Sequence, residues 1–305
     1  MAKHGKLQTN LEYFAARLIL CGLGILPPSL AMWCGRMIGK LTFLIAGKLR
    51  RTGERNLLLA FPEKSASERT ELLRGCFESL GRDLGLFAQM TTRKRETLRN
   101  LFDFAGLEHL EAAQALGKGV ILYTAHLGAW ELTSFSLSVI GHPFAFLVRR
   151  IDNPKVEVFV DKTRTRFGNQ TVDKLSAARS MIKIVKSGEV LGLLPDLNAL
   201  NEEGIFVDFF GVPASTNFVI AKLSLRTNSP VVPMFAPWDN KRQKFSVYVE
   251  PQISIESSGN EDEDVRRLTA KISERIETNI RRFPEQWLWI HKRWKTRPPG
   301  EPEIY

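Results

Sequence analysis

Short apolar runs alternate with helical patterns between residues 119 and 250, and this alternation constrains the fold more than any other feature. Five runs have the length and β-branched content of buried strands, at residues 120–125, 144–149, 190–195, 231–236 and 245–249. Helical patterns lie between most of them, near residues 155–166, 176–187 and 217–227. Strands that alternate with helices predict an α/β protein with a mainly parallel central sheet flanked by helices.

Two longer helical patterns frame this region. Residues 67–91 carry apolar side chains at helical spacing, and residues 263–282 form an amphipathic pattern. The apolar stripe of the second pattern consists of Val265, Leu268, Ile272, Ile276 and Ile280. We expect this stripe to close one face of the sheet. With 305 residues, 44% of them hydrophobic, the chain is long enough to bury a large core.

The N-terminal sixty residues are apolar and basic. They contain nine Lys and Arg but only two Asp and Glu, which favours an anionic partner surface. The uncharged run 18–35 would just span a bilayer, but Pro27 and Pro28 interrupt it. We therefore expect two short helices that lie in the membrane interface. The basic residues that would meet lipid headgroups are Arg36, Lys40, Lys48, Arg50 and Arg51.

This interpretation divides the chain into a membrane-docking helical segment, residues 1–50, and a catalytic domain, residues 51–305. A cleaved leader is one alternative, although Glu12 and Arg17 would lie inside such a leader and no small-x-small cleavage site follows Trp33. A buried helical hairpin of a soluble protein is the other. The three cysteines, Cys21, Cys34 and Cys76, have no metal-ligand spacing, so the sequence predicts no disulfide framework, no zinc site and a reducing compartment.

His126 and Glu131 are the candidate catalytic residues. His126 directly follows a predicted interior strand, and Glu131 begins the helical run after the turn-permitting Gly128. On one helix a spacing of five would separate the two side chains, whereas across a loop and a first helical turn they can meet. A carboxylate that fixes one ring nitrogen leaves the other free to take a proton from an attacking hydroxyl, as in acyl transfer. The alternative is a pair of surface residues at a helix start.

Further polar residues follow two other predicted strands. Arg149 ends one strand, and the next helical pattern carries Arg164 and Arg166, whose guanidinium groups suit phosphate. Asp196 follows another strand at the carboxyl edge, where open α/β sheets gather ligands. It would orient an arginine or a substrate hydroxyl. The alternatives are solvated surface arginines and a turn-capping aspartate.

Two aromatic stretches allow more than one interpretation. Residues 204–216 are too apolar for a plain surface loop and indicate either an acyl-chain groove or core packing. Residues 287–295 interleave tryptophans with basic residues, which is typical of a membrane interface or of a single-stranded nucleic-acid binder. With an apolar N-terminus and no nucleic-acid fold signature, we expect the membrane. His291 is either a second base or a packed histidine.

The combined motifs resemble those of the bacterial lipid A late acyltransferases, the lauroyl and myristoyl transferases of the lysophospholipid acyltransferase superfamily. The motifs are H-x-x-x-x-E, V-R-R-x-D-N-P, L-P-D, F-V-x-F-F-G-V-P-A-x-T and the stretch 284–298, with R-N-L and F-P-E at 55–57 and 61–63. The resemblance runs from about residue 10 to the C-terminus. By motif, His126 and Glu131 correspond to the catalytic dyad, and Arg164 and Asp196 to a further required polar pair.

The resemblance implies a monotopic or peripheral enzyme on the cytoplasmic face of the inner membrane. It would move a fatty acyl group from acyl carrier protein or coenzyme A to a hydroxyl of a lipid A precursor, with no other cofactor. Leu197 and Asn198 depart from the histidine or glutamine of several members, so another glycolipid or a lysophospholipid stays open as acceptor. No G-x-S-x-G motif occurs and no cysteine neighbours a histidine, so we expect no acyl-enzyme. For the oxyanion, either Arg164 or backbone amides near Gly128 would be the donor.

Overall fold

A mainly parallel sheet forms the centre of the molecule. The computed structural model describes residues 5–174, 177–200 and 202–305. The strands are β1 (Phe102–Ala105), β2 (Val120–Tyr123), β3 (Ala145–Val148), β4 (Gln170–Asp173), β5 (Val190–Leu193), β6 (Gly204–Phe209), β7 (Val212–Asn217), β8 (Val231–Phe235), β9 (Trp238–Asp239) and β10 (Lys244–Val249). The sheet order is β1-β10-β8-β2-β5-β3-β4, with β9 on β10 and a separate β6-β7 hairpin. All five predicted strands are confirmed.

Within the main sheet, neighbouring strands are parallel except where β10 meets β8 and β9, and the separate β6-β7 pair is antiparallel. The helices are α1 (Lys6–Ile25), α2 (Pro28–Ile45), α3 (Gly47–Ala60), α4 (Ala66–Thr92), α5 (Arg95–Arg99), α6 (Leu107–Ala115), α7 (Trp130–Val139), α8 (Pro154–Arg164), α9 (Ala177–Lys186), α10 (Val219–Thr227) and α11 (Glu261–Arg282), followed by a 3-10 turn at Pro284–Gln286. The helices expected near 155–166, 176–187 and 217–227 are thereby confirmed, except that residue 176 lies outside the described residues.

The two faces of the sheet bury separate apolar clusters. Along β2, Ile121 and Tyr123 belong to one cluster and Val120 and Leu122 to the other, because successive strand side chains point to opposite faces. The α11 stripe packs in the first cluster with α9 and α10, and α6 and α7 pack in the second. The expected role of the stripe is therefore confirmed, and the α/β architecture with both faces covered is observed.

Local sequence signals explain where the long helices begin. Ser65 and Glu68 form a reciprocal capping box at the start of α4. Asn153 caps α8, in which Pro154 occupies the first turn, and Asn260 caps α11 ahead of four acidic residues that match its dipole. These caps satisfy amide groups that would otherwise lack partners.

The N-terminal helices wrap around α4. The break between α1 and α2 falls at Leu26 and Pro27, as the prolines predicted. Glycines allow α2 and α4 to pack backbone against backbone, since a Cβ at Gly35 would lie 2.0 Å from the Gly81 carbonyl oxygen and one at Gly85 would lie 2.4 Å from the Ala31 carbonyl oxygen. Any larger residue there would separate the two helices.

No single helix in the described ranges has the length and hydropathy to cross a membrane. Taken together, α2 and α3 have the length and composition of a membrane span, but they are bent by 90° with respect to each other. Many apolar side chains of these helices are exposed: Leu7, Leu11, Phe14, Leu18, Ile19, Ile25, Leu30, Trp33, Ile38, Leu41, Leu44, Ile45, Leu49 and Leu58. We call this set the apolar N-terminal surface. Beside it, Arg36 and Lys40 contact Glu78, and Lys48 and Arg51 are exposed.

Candidate active site

His126 lies on the loop between β2 and α7, as its sequence position predicts. Gly128 adopts a left-handed φ of 58°, and a Cβ there would lie 2.4 Å from the Ala236 carbonyl oxygen. Only glycine fits this turn without strain. The loop carries the His126 side chain to the carboxyl edge of the sheet, where 17% of it is exposed.

Asp196 is the carboxylate that holds His126. Its Oδ1 lies 2.8 Å from His126 Nδ1, and its Oδ2 accepts the His126 backbone N–H at 2.8 Å. The indole Nε1–H of Trp287 also donates to Oδ2, at 2.8 Å. This network directs the Nδ1 proton toward the carboxylate and leaves Nε2 as the proton-accepting nitrogen.

Asp196 has a fully buried side chain. Burial acts to raise the pKa of Asp196, but the charge of His126 and the hydrogen bonds from His126 and Trp287 outweigh it and hold that pKa below its ordinary value. The carboxylate is therefore charged at neutral pH. A charged acceptor supports the imidazolium that forms when His126 takes a proton.

Glu131 is paired with Arg164 and not with His126. Arg164 Nη2 donates to Glu131 Oε1 at 2.7 Å, and Arg164 Nε donates to Oε2 at 3.1 Å. The guanidinium is buried, whereas 38% of the Glu131 side chain is exposed. We expected Glu131 to hold the histidine ring, and that expectation was wrong because Asp196 already occupies Nδ1. The catalytic role of Glu131 stays a prediction.

A cavity of about 430 Å³ joins these groups. His126, Glu131 and Arg164 line it together, so the two residues of the H-x-x-x-x-E motif face one space. Its buried part is largely apolar and is lined by Leu122, Phe144, Phe146, Gly192 and Met234, with the small Thr133 and Ser134. Exposed side chains line the opening, among them Arg149, Lys174 and Glu203.

The other two arginines differ in position. Arg149 lines the opening of the cavity, consistent with a binding role. Arg166 instead donates from Nη1 to the Met90 carbonyl oxygen at 2.6 Å and lies 5.0 Å from the centre of the Phe167 ring. It is absent from the described cavity lining, and its guanidinium links the chain just after α8 to α4. Its expected contact with a substrate phosphate stays a prediction.

The backbone amides near Gly128 are already used. Gly128 N–H donates to the Gln286 carbonyl oxygen and Ala129 N–H to that of Ala236, both at 3.0 Å. The Leu127 and Trp130 amides donate to carbonyl oxygens of the same loop. These amides therefore cannot receive an oxyanion without first breaking a bond, which removes one of the two expected donors.

His291 is a further imidazole in the cavity lining. Its Nε2 accepts the Asn198 backbone N–H at 3.3 Å. Burial and the charge of His126 lower the pKa of His291 to about 4, so the ring is neutral at neutral pH. In the described part of the chain, no group of three or more His, Cys, Asp or Glu side chains is arranged to hold a metal ion.

The model of the bacterial lipid A biosynthesis acyltransferase family matches residues 2–296. The chain belongs to this family. It is similar to a lipid A biosynthesis acyltransferase of Haemophilus influenzae, at 28% identity over 87% of this chain and 83% of that protein. It is also similar to the lipid A biosynthesis lauroyltransferase of Escherichia coli, at 28% identity over 97% of this chain and all of that protein. The lipid A biosynthesis myristoyltransferase of the same organism is 27% identical over 94% of this chain and 87% of that protein. The protein is therefore an O-acyltransferase.

The aromatic stretches of this acyltransferase are core and not surface. Trp287, Trp289 and Trp294 are completely buried, so they form neither a membrane belt nor a base-stacking platform. In the hairpin, Phe209 packs on Trp287 and Trp294 with ring centres 5.6 and 5.8 Å apart. Of the two interpretations of residues 204–216, core packing is the one observed.

Sequence reasoning missed the pairing of His126 with Asp196 in this acyltransferase, although a signal existed. Tyr123 and Leu193 are register partners on adjacent parallel strands. His126 lies three positions after Tyr123, and Asp196 lies three positions after Leu193. The two side chains therefore reach the same edge of the sheet at the same height. That β2 and β5 are neighbours is the fact that the sequence alone does not contain.

Proposed function

We propose that the protein transfers a fatty acyl group from a thioester to a hydroxyl group of a lipid A precursor, with His126 as general base. The observation that carries this proposal is the His126 ring, fixed by Asp196 at Nδ1, beside a cavity with an apolar interior. Membership of the acyltransferase family and the lipid A activities for which its relatives are named support lipid A as the acceptor.

The chemical step follows from the orientation of the ring. His126 Nε2 removes the proton as the acceptor oxygen attacks the thioester carbonyl carbon. Asp196 stabilises the resulting imidazolium through Nδ1–H. When the tetrahedral intermediate collapses, the carbon–sulfur bond breaks and Nε2–H returns the proton to the departing thiolate. General-base work of this kind contributes on the order of 10²–10⁴-fold in rate.

Glu131 has a different role in this proposal. Because Asp196 occupies His126 Nδ1, a Glu131 carboxylate at Nε2 would compete with the hydroxyl that must be deprotonated. Held by buried Arg164 and partly exposed in the cavity, Glu131 instead accepts a hydrogen bond from a hydroxyl of the acceptor sugar. Arg164 fixes the carboxylate as a planar fork.

The apolar interior of the cavity would take the acyl chain, and Arg149 at its opening would attract an anionic donor. Arg149 and Lys174 are exposed at this opening, where Lys174 is paired with Glu203 at 3.0 Å. Both an acidic acyl carrier protein and the phosphates of coenzyme A suit such charges. Of the two donors, we propose the carrier protein, and transfer rates with equal concentrations of each thioester decide between them.

We further propose that the apolar N-terminal surface docks on the cytoplasmic face of the inner membrane. Its exposed apolar side chains support this location, because that many on adjacent helices is unusual for a surface in water. Lys48 and Arg51, exposed on α3, add attraction to anionic headgroups. The membrane would then supply the lipid acceptor without its release into water.

The test of the function has two parts. Mass spectrometry of lipids from cells lacking the protein should reveal lipid A that is missing one acyl chain. Purified protein should transfer an acyl group to a lipid A precursor, and His126→Ala should lose on the order of 10²–10⁴-fold in rate. Unchanged lipid A, with altered glycolipid or phospholipid acylation, would contradict the proposed acceptor. Near-normal transfer by His126→Ala would contradict the mechanism.

A further inference from the structure

We propose that His291 is a second catalytic residue, whose Nδ1–H donates a hydrogen bond to the thioester carbonyl oxygen as negative charge develops there. This inference rests on the proposed acyl transfer and adds a group to it. Preorganised donors at a developing oxyanion are usually the largest single contribution to catalysis of this type.

The backbone around His291 is fixed against the catalytic loop. Leu288 N–H donates to the His126 carbonyl oxygen at 3.0 Å, and His291 N–H donates to the Leu288 carbonyl oxygen at 3.1 Å. The buried Asn56 amide donates to the carbonyl oxygens of Trp289 and His291, both at 2.6 Å. The two imidazoles are therefore carried by chain segments bonded directly to each other.

The tautomer of His291 follows from its one ring hydrogen bond. Nε2 accepts the Asn198 N–H, so in the neutral ring the proton is on Nδ1. Nδ1 has no hydrogen-bond partner among the described residues, and it is not one of their fully buried, unpaired polar atoms. The ring itself lines the cavity. His291 thus has an unpaired, neutral N–H donor on a ring that lines the same cavity as His126.

Charge favours this donor role over a second base. With its pKa lowered to about 4 by burial and by the neighbouring His126, His291 does not take a proton at neutral pH. A neutral donor also avoids repulsion when His126 becomes an imidazolium. The N–H is ready in the resting enzyme, with no protonation step before each turnover.

The two donors that the sequence suggested are already used. The amides of residues 127–130 each donate within the protein, and Arg164 uses Nε and Nη2 on Glu131. The remaining Arg164 nitrogen, Nη1, is buried with no surface open to the cavity. Among these groups, His291 Nδ1 is the donor that has no existing bond and belongs to a ring in the cavity lining.

In the step itself, the acceptor oxygen forms a bond to the carbonyl carbon and its proton moves to His126 Nε2. The carbonyl π electrons move to oxygen, which accepts the His291 Nδ1–H hydrogen bond. Collapse restores the carbonyl and expels the thiolate, which takes the proton from His126. His291 keeps its own proton throughout.

Two amide variants separate catalysis from loop support. His291→Asn retains an N–H donor near the position of Nδ1 but loses the acceptor for Asn198 N–H. His291→Gln retains an acceptor near Nε2 but loses the cavity donor. We expect His291→Gln to lower kcat on the order of 10²–10³-fold with little change in KM, and His291→Asn to stay within about tenfold of wild type.

Measurements of kcat and KM with one thioester and a lipid A precursor test this order. His291→Gln equal to or faster than His291→Asn, or a loss confined to KM, would overturn the donor role and leave the proposed function intact. Failure of wild-type protein to acylate the precursor would overturn both. If the variants do not fold, ¹⁵N NMR of wild-type histidines still decides, because an Nε2–H tautomer at His291 contradicts the proposal.

Discussion

At the residue scale, Asp196 does more than hold a ring in place. Its Oδ2 accepts two N–H groups, from the His126 backbone and from Trp287. In Asp196→Asn the amide oxygen would keep both of these bonds, and its NH₂ group would face His126 Nδ1. The ring would then carry its proton on Nε2, the wrong tautomer for a base.

We therefore expect Asp196→Asn to fold normally and to lose on the order of 10²–10⁴-fold in kcat. Steady-state transfer assays and thermal unfolding check the two parts separately. A variant with near-normal kcat, or one whose loss of activity tracks a loss of folded protein, would contradict the assigned role.

Asp83 offers a prediction about stability. Both of its carboxylate oxygens are buried without a hydrogen-bond partner among the described residues, and burial raises its pKa well above the ordinary value. The folded state holds the Asp83 proton more tightly than the unfolded chain does. The contribution of Asp83 to the free energy of unfolding is therefore fully present below about pH 4, and it falls as pH rises from there. Asp83→Asn should raise Tm at neutral pH by about 2–4 °C or more.

The gain from Asp83→Asn should shrink as pH falls toward about 4, where the wild-type carboxyl is protonated in both states. Calorimetry of the two proteins across this range is the measurement. A gain that does not depend on pH would assign the effect to packing and not to charge.

At the element scale, β5 governs the shape of the cavity through Gly192. A Cβ at this position would lie 2.6 Å from Phe144 Cε2 and 3.0 Å from Phe146 Cβ, so an aromatic ring must shift. Both rings line the apolar interior, where the acyl chain would lie. The absent side chain at residue 192 therefore sets how much room remains beside β3.

Gly192→Ala should disfavour long acyl chains relative to short ones, by about tenfold or more in the ratio of kcat/KM values. A thioester series of increasing chain length measures this ratio. Gly22→Ala, at a helix position with nothing within 4 Å, is the matched control and should leave the ratio unchanged. An equal loss for all chain lengths would count against a chain-binding role.

The elements themselves were predictable where burial imposes a strong pattern. Interior strands such as β2 and β5 are continuous apolar runs, and α11 has a regular stripe. The short edge strands β1 and β4, the latter Gln170–Asp173, have no apolar pattern long enough to predict them. Their conformation comes from pairing with β10 and β3, which is tertiary information.

At the scale of the whole molecule, the apolar N-terminal surface leads to a test of docking. Leu44 on α2 is 68% exposed. Burying a leucine in lipid contributes about 1.5–3 kcal/mol, and a charge at that depth removes this contribution. We expect Leu44→Glu to bind anionic vesicles about tenfold or more weakly than wild type.

Leu116 provides the matched control for docking. It is 54% exposed but lies at the end of α6, outside the apolar N-terminal surface. Leu116→Glu should bind the vesicles as wild type does, in the same sedimentation assay. Equal effects of the two substitutions would contradict docking through α2.

The candidate site was predicted in its residue types and only partly in its arrangement. His126, Glu131, Arg164 and Arg149 share one cavity because the carboxyl ends of parallel strands meet at one edge. The tryptophans of residues 287–294 were expected at a membrane interface and are buried instead. Composition alone does not distinguish an interfacial aromatic residue from a buried one. Only packing against the hairpin settles their environment.

Asn56 has one consequence for how the protein can be used in the laboratory. It lies on α3, and it holds the backbone of Trp289 and His291 while accepting the Tyr305 hydroxyl. Deleting the apolar N-terminal helices α1 to α3 to obtain a smaller fragment would therefore remove the side chain that holds the backbone of His291 beside the active-site cavity. Activity should therefore be measured on the intact chain rather than on a truncated fragment.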